Sequence, residues 1–435
     1  GGGGGGGVTG LLLYKHQLGA TIEIEFAGTR QVLESYSQTP EVVPLDLETG
    51  SDRAWQRAIQ AAAVGILTLL CGRWMSRHES VGREDGGEGR DASIDLVRTA
   101  AAFLVVFVHS FLAGGYYGAP LSGEGMAALT FLRWIALDCV PLFMLLTGYL
   151  CIRKSEVAST YLGAIPNLLL FMEVSMIRVV FWEGLYIGSA ITWDGLLAEL
   201  VGMESAWYMK MYAGLVLLMP FLNRLWAHLR QTEKQMLVAV LLLITMGRSV
   251  LGQIFPGYWV ALYPLTYYFT GAYLRERTLP VTKRGAALLF VGITLLETVL
   301  THTAPAASGT FDWGLLGGFE CSYNAAPVFA STVLLFSLLR SVKIERVRLQ
   351  KLLRAVGGNT LGIYLVSGIV DGLVYPPLQR IFLTPQAFAA VQAPAAAVSF
   401  LISLAVSIML TSAIRRMLEH FKKGDTNDVY PSIET

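Results

Sequence analysis

Arg98 and His109 lie in one long apolar run between Ser93 and Ser110. Their separation of 11 residues corresponds to three helical turns plus about 20°, so a helix presents both on one face, about 16 Å apart along its axis. The run is long and apolar enough to span a bilayer. Because an ionisable group inside a span is costly, its default interpretation is a functional site.

The composition places this run in an integral membrane protein. Of the 435 residues, 54% are hydrophobic and only 15% are charged, and the mean hydropathy is +0.52. A soluble domain carries about 25% charged residues. The net charge of +1 gives no electrostatic basis for binding nucleic acid. The four cysteines (Cys71, Cys139, Cys151 and Cys321) form no CxxC pair, so neither a disulfide framework nor a metal site is expected.

Apolar segments from residue 93 onward predict an all-α bundle of about ten transmembrane helices. The predicted spans are 94–114, 128–150, 161–187, 206–226, 235–254, 257–275, 284–302, 325–341, 359–378 and 391–414. Lys and Arg are concentrated in alternate loops, whereas loops 111–127 and 303–323 have none. The positive-inside rule then places the start of the first span and the C-terminus in the cytoplasm.

This pattern divides the chain into three predicted parts. Residues 1–92 form a poorly defined N-terminal extension, with a low-complexity glycine start and a candidate interfacial helix or extra span within Trp55–Trp74. Residues 93–415 form the membrane domain, with the lipid bilayer as its partner, and residues 416–435 form a cytoplasmic tail.

His109 and Arg98 are the first candidates for chemistry. An imidazole takes a proton from a hydroxyl near neutral pH, as a general base must, although a packing histidine hydrogen-bonded to a neighbouring helix is the alternative. Arg98 lies about one turn inside the cytoplasmic end of the span. There it can bind a phosphate or carboxylate, or extend to the lipid headgroups.

Further polar residues interrupt the second, third and fourth spans. Asp138 is expected either to orient His109 or to pair with Arg133 in the same span, and Arg133 is also a candidate substrate contact. Glu173 and Arg178 favour a structural ion pair, with ligand binding as the alternative. The outer start of the fourth span carries the candidate substrate contacts Trp207, Tyr208 and Lys210, although aromatic residues there are equally typical of the membrane interface.

Taken in order, the motifs resemble the acyltransferase-3 family of membrane acyltransferases. The resemblance rests on Arg98, ten intervening residues and His109, and on Val140-Pro141-Leu142-Phe143 leading to Thr147-Gly148-Tyr149. Three further matches are Trp207-Tyr208 with Gly214-Leu215 and Pro220-Phe221-Leu222, then Phe269 to Leu274, then Leu361 to Leu365. It covers about 93–415 and is similar to the subgroup that acetylates surface polysaccharides and peptidoglycan, which includes the membrane domain of membrane-bound serine racemases.

The resemblance implies a ten-span bundle in the cytoplasmic membrane of a bacterium. This bundle would move an acyl group from cytoplasmic acetyl-CoA to an external hydroxyl or amine, such as that of an envelope glycan. His109 would then be the general base or a transient acyl carrier, and Arg98 would hold the donor or help to organise the site. Two departures stand out. Ser367 occupies the place of the family's usual histidine, and few cations follow Arg153 and Lys154 before the third span, which leaves Arg275 or Arg346 as substitutes.

Two other function classes stay open at this point. Scattered intramembrane charges also suit a transporter or flippase-like carrier of a surface glycan or lipid intermediate, although no paired broken-helix pattern is visible. A membrane sensing module is the third hypothesis, because the membrane part of a serine racemase accompanies a separate catalytic domain. Fold-level analogy does not decide between them.

Overall fold

A computed structural model describes residues 91–154, 156–180, 199–200, 203, 206–252, 254–317 and 322–427, together with four N-terminal strands. The strands form two antiparallel pairs, β1 (Leu11–Lys15) with β4 (Glu41–Leu45) and β2 (Thr21–Phe26) with β3 (Thr29–Glu34). The candidate helix within Trp55–Trp74, together with Cys71 and Cys321, lies outside the described residues.

From residue 91 onward, the described secondary structure is helical. In chain order the longer helices are α1 (Ala92–Ala113), α2 (Met126–Leu137), α3 (Cys139–Cys151), α4 (Val157–Ile177), α5 (Trp207–His228), α6 (Gln231–Met246), α7 (Tyr263–Glu276), α8 (Lys283–Thr303), α9 (Ala326–Arg340), α10 (Val347–Gly357), α11 (Thr360–Gln379) and α12 (Pro385–Asn427).

Six helical stretches among the described residues are long and apolar enough to cross a membrane, judged by length and composition. They are Ala92–Ala113, Met126–Cys151, Val157–Val180, Lys283–Thr303, Thr360–Gln379 and Pro385–Ile414. The other four predicted spans coincide with α5, α6, α7 and α9, which do not meet that criterion, so the total of about ten stays a prediction. Helix α12 continues past the predicted end of the tenth span at residue 414.

Two compact units divide the chain. The first comprises Gly1–Met75 and Phe171–Trp207, and the second comprises Ser76–Leu170 and Tyr208–Thr435. Within the second unit, α1 is the central helix, since it packs against α2, α3, α9, α10, α11 and α12. Its start is fixed by Asp91, whose carboxylate accepts a hydrogen bond from the Ser93 backbone N–H at 3.0 Å, as N-cap residues do.

The predicted second span consists of two consecutive helices, α2 and α3, which meet at Asp138. Pro141 explains the interruption, because it has no N–H to donate to the carbonyl of Leu137 four residues earlier. That carbonyl instead accepts a weak hydrogen bond from the Cys139 thiol, with Sγ and O 3.8 Å apart. The break gives Asp138 a position in the middle of the span.

Helices α3 and α7 cross in backbone contact at two glycines. A Cβ on Gly148 would overlap the Tyr268 carbonyl oxygen, and a Cβ on Gly271 would overlap the Leu145 carbonyl oxygen. Small residues allow membrane helices to approach this closely. The crossing brings Arg275 to the end of α3, where its Nη1 donates to the Tyr149 carbonyl at 2.6 Å.

Arg340, the last residue of α9, ties that helix to the start of α1. Its Nη1 donates to Asp91 Oδ2 at 2.5 Å and also contacts Ser93 Oγ, while its Nη2 donates to the Tyr149 hydroxyl at 2.9 Å. Partial burial raises the pKa of Asp91, but hydrogen bonds from Ser93 and Arg340 prevail and hold that pKa below its usual value.

Substituting Gly271 by Ala tests the helix crossing. We expect the protein to lose about 1–3 kcal/mol of stability, because the added methyl group meets backbone that cannot move aside. Thermal unfolding of the purified protein in detergent measures this loss. The matched control is Gly292→Ala in α8, where an added Cβ meets nothing within 4 Å and helix propensity alone favours alanine. Equal thermal stability of Gly271→Ala and Gly292→Ala would contradict the close backbone contact between α3 and α7.

Asp91→Asn tests the link between α1 and α9 while keeping a good N-cap residue. Because the folded-state pKa of Asp91 lies below the ordinary pKa of 3.8 for an aspartate, its charge stabilises the fold above about pH 4, and this contribution is lost as the pH falls through the lower folded-state pKa. With half of the side chain exposed, the loss at pH 7 should stay below about 1 kcal/mol. The difference in free energy of unfolding between the wild type and Asp91→Asn should disappear in acid. The exposed-loop control Glu124→Gln should show no such pH-dependent difference from the wild type.

Candidate functional site

Helix α1 carries both residues of the predicted pair without a break. Val105 lies in phase with them, seven residues after Arg98 and four before His109, so the three mark one face along most of the helix. The Arg98 side chain is about three-quarters buried, and its Nη1 lies 3.4 Å from Asp95 Oδ1, one turn earlier. The pair Arg98 and His109 is therefore brought to one face, as the spacing predicts.

A cavity of about 440 Å³ lies beside Arg98. Its lining includes residues at the ends of α3 and α10 and at the start of α11, namely Leu150, Cys151, Gly357, Gly358 and Thr360. It also includes Val105, about half-way along α1, and Val140, in the first turn of α3. The cavity thus extends from the end of the bundle that the loop charges assign to the cytoplasm towards the middle of α1.

Aromatic side chains form one wall of this cavity. The ring of Tyr208 lies 5.6 Å from that of Tyr364, 6.3 Å from that of Tyr212 and 6.1 Å from that of Phe143, centroid to centroid. Asn167 Nδ2 lies 3.4 Å from the Tyr212 hydroxyl. The wall is aromatic, with the tyrosine hydroxyl groups and the Asn167 amide as its polar groups, and such a combination is typical of small-molecule sites.

His109 contacts a carboxylate from a neighbouring helix. Its Nδ1 lies 3.4 Å from Asp371 Oδ2, and Asp371 Oδ1 accepts a hydrogen bond from the buried Ser399 hydroxyl at 2.5 Å. The three residues come from α1, α11 and α12. A carboxylate on Nδ1 orients an imidazole and leaves Nε2 to exchange a proton. About a third of the His109 side chain is exposed, which leaves the ring accessible.

An 11-residue step along α11, equal to the step from Arg98 to His109 along α1, places Asp371 at the level of His109. Thr360 lines the cavity with Arg98, and Asp371 follows Thr360 by 11 residues, as His109 follows Arg98. Helices α1 and α11 therefore run in the same direction and in register over three turns. Asp371 is the site residue that sequence reasoning did not assign. A lone carboxylate in an apolar span was the available signal, but the sequence does not show which partner it meets.

Asp138 does not orient His109, and this expectation is wrong. Its Oδ1 accepts hydrogen bonds from Ser331 Oγ at 2.8 Å and Thr332 Oγ1 at 2.7 Å, both from α9. The break between α2 and α3 presents its side chain to α9, and Asp371 occupies the position beside His109. Asp138 is fully buried, and these two hydroxyl groups satisfy one of its oxygens, as a buried polar group requires.

Arg133 is also fully buried, and it lies among aromatic rings. Its Cζ is 4.3 Å from the Trp134 ring centroid and 4.4 Å from that of Phe311, and its Nε lies 3.3 Å from the Tyr117 hydroxyl. Rings at these distances stabilise a guanidinium electrostatically. No described ion pair joins it to Asp138, so the predicted pairing is not formed within 4 Å. Its substrate-binding role stays a prediction.

The other predicted substrate contacts lie in different surroundings. Tyr208 lines the cavity, whereas Lys210, on α5, is exposed. Glu173, Arg178 and Trp207 belong to the unit that contains Phe171–Trp207, and their role in binding stays a prediction.

The structure shows the surroundings of the residues at which the chain departs from the family pattern. Ser367 is buried and donates to the Tyr364 carbonyl at 2.9 Å, within its own helix. Arg275, one of the cations expected to substitute near the third span, donates to the Tyr149 carbonyl. Arg346 is exposed beside the start of α10. Of the cationic side chains in the described residues, Arg98 is the one that lines the cavity.

Comparison with known proteins gives one family match. A family model for an acyltransferase domain, that of the acyltransferase-3 family, matches residues 91–412 of the 435. Neither the search of curated proteins nor the search of solved structures finds a match. The matched range contains the cavity, Arg98, and the contact of His109 with Asp371. The chain therefore belongs to the acyltransferase-3 family of membrane acyltransferases.

Proposed function

We propose that this chain transfers an acyl group, acetyl in the first instance, from acyl-CoA to a hydroxyl or amine of an extracytoplasmic envelope glycan or related acceptor. The observation that carries the proposal is the arrangement on α1. Arg98 lines a cavity at one end of the helix, and His109 meets Asp371 three turns further along the same face. Family membership supports the reaction class, and this arrangement supports the assignment of roles.

The cavity suits the donor in size and in chemistry. A volume of about 440 Å³ falls within the usual range for small-molecule sites and would hold the acyl-pantetheine arm of acyl-CoA. Arg98 would bind a donor phosphate through its guanidinium N–H groups. The tyrosine wall would exclude water from the thioester, and the nucleotide portion would remain near the ends of α3 and α10.

His109 is the proposed general base. Its Nε2 takes the proton from the acceptor hydroxyl, whose oxygen attacks the thioester carbonyl carbon. The carbon–sulfur bond breaks, CoA leaves as the thiolate, and the proton held by His109 returns to that sulfur or to water. Asp371 fixes the ring and stabilises the imidazolium that forms, and Ser399 holds Asp371 in place. Asp371 and Ser399 are positioning residues in this account.

The test of the function as a whole is mass spectrometry of envelope glycans from bacterial cells with and without the chain. We expect one acyl mass to disappear from a glycan when the chain is absent and to return with the wild-type chain. Vesicles that accumulate a glycan precursor in the absence of any acyl-CoA would support the transporter hypothesis. Glycans identical in both strains would contradict the proposal.

His109→Gln and Asp371→Asn test the proposed roles. Loss of a general base typically costs a factor of about 10²–10⁴ in rate, so His109→Gln should abolish the acyl mass while protein remains folded in the membrane. Asp371→Asn should reduce acylation at least about tenfold, because the ring loses its orienting carboxylate. Binding of a non-hydrolysable acyl-CoA thioether should be unchanged in both variants.

The matched control is His302→Gln. His302 is another histidine near the end of a span, and its Nε2 lies 3.1 Å from Thr130 Oγ1, in a contact that holds α8 to α2. We expect wild-type acylation from this variant. Wild-type acylation from His109→Gln would remove His109 as the base. Loss of thioether binding in Asp371→Asn would show that Asp371 acts through the fold and not through His109.

A further inference from the structure

Helix α10 and the four residues before it combine exposed apolar residues with a concentration of positive charge. Between residues 343 and 354 there are five cations and a single carboxylate, Glu345. The cations are Lys343, Arg346, Arg348, Lys351 and Arg354. The helix joins α9 to α11 and so lies at the end of the bundle that the loop charges assign to the cytoplasm.

One side of α10 is covered by protein. Leu353, Val356 and Gly357 are buried, and the helix packs on α1. The packing is close at Gly357, where an added Cβ would lie 2.7 Å from Asp95 Oδ1. This contact anchors the last turn of α10 to the helix that carries Arg98.

Two leucines of α10 have no full protein cover in the described residues. Leu352 is 59% exposed and Leu349 is 42% exposed. At about 100° per residue, Leu349 lies one turn before the buried Leu353 on the same side of the helix. Leu352 lies at the edge of that side, Arg348 comes next, and Lys351 follows further round. Around the helix, the order is therefore the apolar side that carries the buried residues and Leu349, then Leu352, then the cations.

We propose that α10 lies in the headgroup layer of the membrane and binds anionic lipids. Leu349 and Leu352 enter the acyl-chain boundary, and Arg348 and Lys351 bind lipid phosphates. A basic amphipathic helix with a leucine edge is typical of such interfacial segments, and anionic lipids attract clustered cations beside a span. A soluble phosphate would satisfy the cations but would leave the two leucines in water, so the lipid is the occupant that matches both.

This position has a consequence for the cavity. Gly357 and Gly358, at the end of α10, line it together with Arg98. An anionic lipid that orders α10 also orders this part of the lining. The lipid inference itself rests on α10 alone and does not depend on the proposed reaction.

The test is hydrogen–deuterium exchange of the full chain in nanodiscs, followed at the peptide that covers residues 347–357. The discs contain phosphatidylcholine alone or phosphatidylcholine mixed with phosphatidylglycerol. One cation near an anionic surface contributes a factor of about five, so we expect exchange to be slower by at least about fivefold in the anionic discs. Inorganic phosphate added to phosphatidylcholine discs should give no protection.

Paired variants locate the effect. Arg348→Gln with Lys351→Gln should remove the difference between the two discs, whereas Arg277→Gln with Arg284→Gln, which neutralises exposed cations elsewhere on the same end of the bundle, should retain it. Equal exchange of the wild-type peptide in both discs would overturn the proposal, and that comparison needs no variant. Protection by inorganic phosphate alone would also overturn it, in favour of a soluble anion.

Discussion

A carboxylate inside a membrane bundle requires partners, and the two that Asp371 has define the candidate site. Ser399 donates to one of its oxygens, and the imidazole of His109 approaches the other. Burial of a charge without such contacts costs several kcal/mol. Because these partners come from α1 and α12, the contacts connect three helices and place the imidazole beside the carboxylate. Structure and proposed chemistry therefore depend on the same contacts.

Helix α1 can serve as the frame of this site because six neighbouring helices pack against it. Its first turn is bound by Arg340 from α9, and the Asp95 side chain in that turn packs on the last turn of α10. Near its other end, the Ser110 hydroxyl accepts a hydrogen bond from Gln392 of α12 at 2.9 Å. A helix fixed at both ends keeps the distance between Arg98 and His109 constant, which a reaction between a bound donor and a positioned base requires.

Much of this arrangement was predictable from local patterns. Apolar segments located the helices, and the 11-residue step located Arg98 and His109 on one face, because both depend only on the helical period. The partner of His109 was not predictable, since Asp138 and Asp371 are both lone carboxylates in apolar spans. Their partners depend on how separate helices pack. The break at Pro141 directs Asp138 to α9, and the register of α1 with α11 brings Asp371 to His109.

The central claim is a division of labour along α1, in which Arg98 binds the donor and His109 acts on the acceptor. Its most direct test is the dissociation constant of a non-hydrolysable acetyl-CoA thioether for the purified wild type, Arg98→Gln and His109→Gln. A charge-assisted hydrogen bond contributes about 1.5–3 kcal/mol, so Arg98→Gln should weaken binding by about tenfold or more while His109→Gln binds like wild type. Unchanged binding by Arg98→Gln, or an equal loss in both variants, would contradict the account.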